Sequence, residues 1–289
     1  MKPNRTRSLL IFLVLLIVGG GVLGYVNRTQ IRDWVYLTTQ PELPEEVTFE
    51  AIRADVRPEI VSETEEPENA LTDVIPIAED VTTSSEEGEA PQPPKEAIAA
   101  EALLAVPFMS QAPHANWELP YQEACEEASV LMVAGYYRGE RGAYTADTAD
   151  ELLLDLLNFA ERKGYSVDTT AEETAEIVEA YYADLEAEVV PFKNADQIKR
   201  YLQEGYPVIV PADGKALPNP NFRNGGPRYH MLVIRGYTED RFITNDPGTR
   251  NGETFLYTYD GLLNAIHDWN NGDVPNGDPV LLILKPRIE

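Results

Sequence analysis

Cys125 is the only cysteine of the chain, and His114, His230 and His267 are its only histidines. A thiol becomes a strong nucleophile when its pKa falls below the free value of about 8.5, which a helix N-terminus or a nearby imidazole promotes. Cys125 opens the run Cys125-Glu126-Glu127-Ala128-Ser129-Val130-Leu131-Met132, where Ala128, Leu131, Met132 and Gly135 share one face at helical spacing. That places the thiol at the start of a helix. Among the histidines, His230 is the best placed base. It begins the apolar run Met231-Leu232-Val233-Ile234 directly after the glycine-rich loop 224–229, at a sheet edge facing a cleft. His114 lies in a loop near the cysteine, and His267 is expected on a helix surface. Asp246 follows Phe242-Ile243-Thr244-Asn245 and precedes Pro247-Gly248, where an antiparallel neighbour can set a carboxylate beside His230 and fix its tautomer. Asp-Pro-Gly is also ordinary turn chemistry, so residue type alone leaves both readings open.

The elements that must hold these groups follow from periodicity. Beyond the helix opened by Cys125, helices are expected over 148–162, 171–187 and 195–204, the last stopped by Gly205. Strands are expected over 207–210, 230–237, 241–245, 254–259 and 280–285, short β-branched or apolar runs bounded by Gly, Pro and Asn. A helical half followed by an antiparallel sheet is an α+β domain. There is no Gly-x-Gly-x-x-Gly or phosphate-loop motif and no internal repeat. The histidines are not at metal-ligand spacing, so neither a metal nor a cofactor is expected.

The chain has 289 residues, with 23 basic and 49 acidic side chains and a formal charge of −26. Such a balance argues against a nucleic acid partner. Residues 8–26 form an uncharged apolar run preceded by Lys2, Arg5 and Arg7, long enough for a single-pass membrane anchor with residues 1–7 in the cytoplasm and the remainder outside. A cleaved signal peptide is the competing reading. Residues 27–103 read as a membrane-proximal segment and a disordered acidic linker, since 41–101 holds 18 acidic and 3 basic residues among many prolines. The folded domain is then 104–289.

The domain resembles the C39-like cysteine peptidases, which have a papain-like fold. The resemblance rests on Val106-Pro107-Phe108-Met109-Ser110-Gln111, Cys125-Glu126-Glu127-Ala128-Ser129, Gly205-Tyr206-Pro207-Val208-Ile209-Val210, the run from Tyr229 to Tyr237, and Ile243-Thr244-Asn245-Asp246-Pro247. It implies Cys125 as nucleophile, His230 as general base and acid, Asp246 as orienter and Gln111 as an oxyanion donor beside the Cys125 backbone N–H. The implied activity is peptide-bond hydrolysis on a peptide or protein substrate. In the family the glutamine lies nearer the cysteine than the 14 residues found here, which makes Gln122 a rival donor. Family members that process peptide leaders carry transporter domains, which this sequence lacks. Two other readings use the same residues: acyl transfer through the same thioester, and a membrane-tethered binding module on an inactive peptidase fold.

Overall fold

The computed structural model describes residues 41–56 and 97–287. Two compact units divide the chain, Met1–Leu43 and Pro44–Glu289, and almost all described residues belong to the second. The expected membrane run at 8–26 and most of the acidic linker lie outside the described residues. Among the described residues, no helix is long and apolar enough to cross a membrane.

The second unit starts before the expected domain boundary. Residues 44–56 and 97–103, read from sequence as linker, are built into the body. Helix α1 (Phe49–Val56) is preceded by Val47, whose N–H donates to Leu103 O and whose carbonyl accepts from Ala105 N–H. Phe49 packs edge-on against Tyr136 and Tyr137, with ring centroids at 6.0 and 4.9 Å. The composition of this stretch is acidic, but its few apolar residues fall where a strand edge and an aromatic surface can take them.

Strand β1 (Ala102–Leu103) leads to helix α2 (Cys125–Tyr137), after a short 3-10 turn at Tyr121–Glu123. Every residue of α2 from Cys125 to Tyr136 is buried. The sequence suggests one apolar face; the structure covers the helix all round, because β4 and β7, the helix over Ala146–Lys163 and, at its C-terminal end, Phe49 of α1 all pack on it. Helix α3 (Ala146–Lys163) is capped by Thr145 and stopped at Gly164 in a left-handed conformation, φ 90°. Helix α4 (Ala171–Tyr181) begins with a capping box in which Thr170 and Glu173 exchange hydrogen bonds. It ends six residues short of the expected Ala187. Leu185, Ala187 and Val189 alternate with Glu186 and Glu188, and that period of two becomes strand β2 (Leu185–Pro191). Helix α5 (Ala195–Gln203) and strands β3 (Val208–Asp213), β4 (Tyr229–Tyr237), β5 (Arg241–Asn245), β6 (Phe255–Thr258) and β7 (Val280–Pro286) match the expected elements closely, with a short α6 (Tyr259–Leu263) after β6.

All seven strands form one antiparallel sheet, in the order β2-β7-β3-β4-β5-β6 with β1 also paired to β4. The α+β class therefore holds. β4 is buried along its whole length and carries His230 near its start, opposite Ala212 of β3. Gly236 is required where β1 crosses it, since a Cβ there would lie 2.4 Å from Ala102 O. The pairing with β5 slips at Arg235, and this bulge turns the Arg235 side chain inward. Its guanidinium is 3% exposed, donates from Nε to Leu104 O at 2.9 Å, and meets the half-exposed carboxylate of Glu46.

Glu46 thus supplies the counter-charge for a buried cation, from a segment the sequence assigns to a linker. Glu46→Ala should lower unfolding stability by about 1–2 kcal/mol in urea titration, and a chain beginning at Ala97 should lose more, because α1 also leaves Tyr136 uncovered. Equal midpoints for chains beginning at Pro44 and Ala97 would contradict this.

Candidate active site

The site is assembled from four pieces of chain joined by direct bonds. Gln111 N–H donates to Pro247 O at 3.1 Å, which ties the segment before α2 to the residue after Asp246. The Gln111 side chain is buried, and its Nε2 donates to Tyr121 O at 3.0 Å and Gln122 O at 2.9 Å, pinning the 3-10 turn that delivers Cys125. Helix α2 then starts at Cys125 itself, with Ala124 as an N-cap that offers no side-chain bond. Its thiol, 5% exposed, receives the backbone N–H of Met231, the neighbour of His230 on β4.

His230 is 1% exposed, and its Nε2 bonds Asp246 Oδ1 at 2.8 Å. Asp246 sits just past β5 and is wholly buried. Both of its oxygens are saturated: Oδ1 also accepts from Gly248 N–H at 3.0 Å, while Oδ2 accepts from Tyr257 O–H at 2.7 Å and Asn219 Nδ2 at 2.9 Å. Burial by itself would push this carboxyl up; the imidazole and the donors from His230, Tyr257 and Asn219 outweigh it and hold Asp246 below the usual carboxylate range. An ionised carboxylate can only accept. Nε2 therefore carries the ring hydrogen, and Nδ1 keeps a lone pair. The turn reading of Asp246 is also correct, for the same residue begins the Pro247-Gly248 turn. Phe222 stands edge-on to the imidazole, centroids 5.4 Å apart, and a Cβ on Gly248 would fall 2.8 Å from His230 Cε1.

The thiol departs from the sequence expectation. Its own hydrogen goes to Glu126 Oε2 at 3.0 Å, and it makes no hydrogen bond with the His230 ring. Burial first, then the Glu126 carboxylate and its hydrogen bond, push the Cys125 thiol up, against the lowering by the Met231 N–H. The thiol at the start of α2 is thus raised and not lowered as expected, first by burial and then by the acids of the same turn. Glu126 is itself pushed well above the carboxylate range by burial and by Glu127, and burial raises Glu127 to about 7.

Gln111 is where the order of motifs puts it, but both hydrogens of its amide are given to backbone carbonyls, and its Oε1 is buried without a partner. Gln122 is exposed and donates to the neighbouring Glu123. His114, half exposed, faces Asp147 at 3.5 Å. His267 is not on a helix surface. α6 stops at Leu263, Ile266 bridges to Ala212, and His267 follows in extended chain with Nδ1 3.0 Å from Gly277 O. Among the described residues no group of three or more His, Cys, Asp or Glu could hold a metal. The residues that sequence reasoning missed are Asn219, Tyr257, Phe222 and Glu126. The first three carry no motif. Glu126 was visible only as an acid in a first helical turn, a common and unspecific feature.

An antiparallel sheet bearing a buried imidazole–carboxylate pair, packed against a helix that opens on the single cysteine, defines an α+β protein. The chain belongs to the Peptidase_C39 like family, whose model matches residues 103–272. A crystal structure of a presumed C39-like peptidase from Bacillus anthracis is similar over 65% of this chain and 99% of its own, at 16% identity and a TM-score of 0.44. No curated protein matches the chain.

The buried acids give the site a pH signature. A carboxyl whose folded pKa lies above its unfolded value costs stability as pH rises between the two, so Glu127 should destabilise the fold progressively from about pH 4.5 to about 7. Asp246 acts oppositely: its contribution is complete above ~4 and is lost only in acid below that. Urea unfolding should therefore show higher stability at pH 5 than at pH 8, and Glu127→Gln should flatten the difference by on the order of 2 kcal/mol. An unchanged slope in the variant would contradict the assignment.

Proposed function

We propose that this domain is a cysteine peptidase in which Cys125 is the nucleophile, His230 the general base and acid, and Asp246 the orienter. The observation that supports it most is the His230–Asp246 pair at 2.8 Å, with every remaining acceptor position of Asp246 filled. That arrangement leaves Nδ1 of His230 as the one ring nitrogen able to take a proton. In the proposed reaction the thiol exchanges Glu126 for Nδ1, gives its proton to the imidazole, and attacks an amide carbonyl. The imidazolium returns that proton to the leaving amine, and water, deprotonated by His230, releases the acid from the thioester. The Cys125 backbone N–H is one oxyanion donor. Gln111 becomes the second only by releasing the carbonyl of Tyr121 or Gln122. The substrate is a peptide or protein, and the negative charge of the domain favours basic or neutral sequences. The apolar run 8–26 and the basic residues before it support a single-pass anchor with the domain outside; release by alkaline carbonate would argue against that anchor.

One observation favours a second reading, an inactive fold used for binding: the thiol is bonded to Glu126 and pushed up, and the Gln111 amide is fully engaged. Turnover separates the two. Hydrolysis of a mixed peptide library, followed by mass spectrometry, should vanish with Cys125→Ala and fall at least about 100-fold with Asp246→Asn. Gly248→Ala, whose Cβ would displace the His230 ring, should lose at least about tenfold with little effect on unfolding. Hydrolysis retained by Cys125→Ala would remove the peptidase assignment.

A further inference from the structure

Glu126 is the one side chain bonded to the proposed nucleophile. Its carboxyl is almost wholly buried, with Oε2 3.0 Å from Cys125 Sγ and Oε1 receiving Thr169 N–H at 3.4 Å. The groups that face it come from three elements. Cys125 and Glu127 lie on α2, Asp168 and Thr169 on the approach to α4, and Tyr229 on β4, beside His230. Tyr229 O–H is directed to Thr169 O and Asp268 Oδ1, and so is not spent on Glu126. The titratable partners are thus a thiol, a phenol and carboxyls. Among the described residues no cation is a main influence on Glu126, and Arg228 acts on Asp168. In either protonation form a carboxyl so placed can accept the S–H hydrogen, and once ionised, above its raised pKa, it also repels a thiolate.

We propose that Glu126 is a positioning residue that holds Cys125 as a protonated thiol, in a bond that must be exchanged for one to His230 before attack. This rests on the reading of Cys125 as the nucleophile, and it adds a restraint which that reading does not require. Burial raises both groups, so a thiolate beside an ionised Glu126 is reached only at high pH, and below that the S–H bond to Glu126 is the restraint. The proton balance is simple: in the resting pair the hydrogen is on sulfur, and on exchange it passes from Sγ to Nδ1 of His230 while Glu126 gains and loses none. The imidazolium so formed offsets the new thiolate, and Glu126 keeps the Thr169 N–H.

The test is the rate of iodoacetamide alkylation of Cys125 against pH on the full chain. Glu126→Gln keeps the shape and removes the charge; Glu126→Leu removes the hydrogen bond as well, and serves if the amide disturbs the pocket. Either should move the midpoint down by about one pH unit or more, an increase of about tenfold in rate just below the parent midpoint. Glu127→Gln, which has no bond to the thiol, should move it less, and Glu126→Asp should restore a midpoint near that of the parent chain. His230→Ala is measured in parallel. A midpoint unmoved by both neutral Glu126 variants, while His230→Ala shifts it, would overturn the restraint and leave the Cys–His reading in place. A midpoint moved by Glu126→Gln but not by His230→Ala would uphold the restraint and remove the imidazole as the partner of the thiol.

Discussion

The Asp246 carboxylate is the fixed point of the site. A charge with no solvent contact survives only if hydrogen bonds replace the water it has lost, and here four donors do so from four places in the chain: His230, Gly248, Asn219 and Tyr257. Each donor constrains a different element. Tyr257 fixes β6 against β5, Asn219 draws in the loop after β3, Gly248 sets the turn after Asp246, and His230 brings the start of β4 to the same point. The tautomer of His230 follows from that arrangement and not from the imidazole's own preference. An imidazole with hydrogen on Nε2 is therefore a property of the sheet as built, and the proposed chemistry of Cys125 depends on how the thiol is offered to it.

The thiol is offered under tension between two partners. Burial in a helix covered on every side raises the cost of any charge at the start of α2, and three groups that could carry one, Cys125, Glu126 and Glu127, stand there in succession. The sheet contributes one compensating donor, the Met231 N–H, next to His230 on β4. Elsewhere the same economy of charge recurs in another form. Arg235, turned inward by the β4 bulge, is neutralised by Glu46 from a segment far away in sequence, so the edge that carries β1 is completed by residues 44–56. The boundary of the folded unit is thus set by a buried guanidinium as much as by apolar area.

Most of the sheet and the pairing of His230 with Asp246 were legible in the sequence. β-branched runs bounded by Gly and Pro marked β3, β4, β5, β6 and β7, and the spacing of Cys125, His230 and Asp246 brought the pair at β4 and β5 into view. β2 was not recognised because Leu185-Glu186-Ala187-Glu188 has residues that favour helices, and pairing with β7 overrides that preference. The docking of 44–56 escaped because an acidic, proline-rich composition hides the few residues, Glu46, Val47 and Phe49, that carry the contact. His267 was put on a helix because the apolar spacing of Leu262, Leu263 and Ile266 imitates one; a turn at Asn264 ends it. The role of Gln111 could be placed but not its bonds, since those depend on the 3-10 turn before Cys125. Nothing in the local sequence tells that the acid next to Cys125 points back at the thiol.

The central claim is that Asp246 holds His230 with hydrogen on Nε2 and leaves Nδ1 bare. The ¹⁵N resonances of the imidazole in histidine-labelled protein report this directly. The account predicts a protonated Nε2 and an unprotonated Nδ1 in the neutral ring of the parent chain, with that preference lost in Asp246→Asn, where the amide can donate to the ring. A neutral ring carrying its hydrogen on Nδ1 in the parent chain would contradict it.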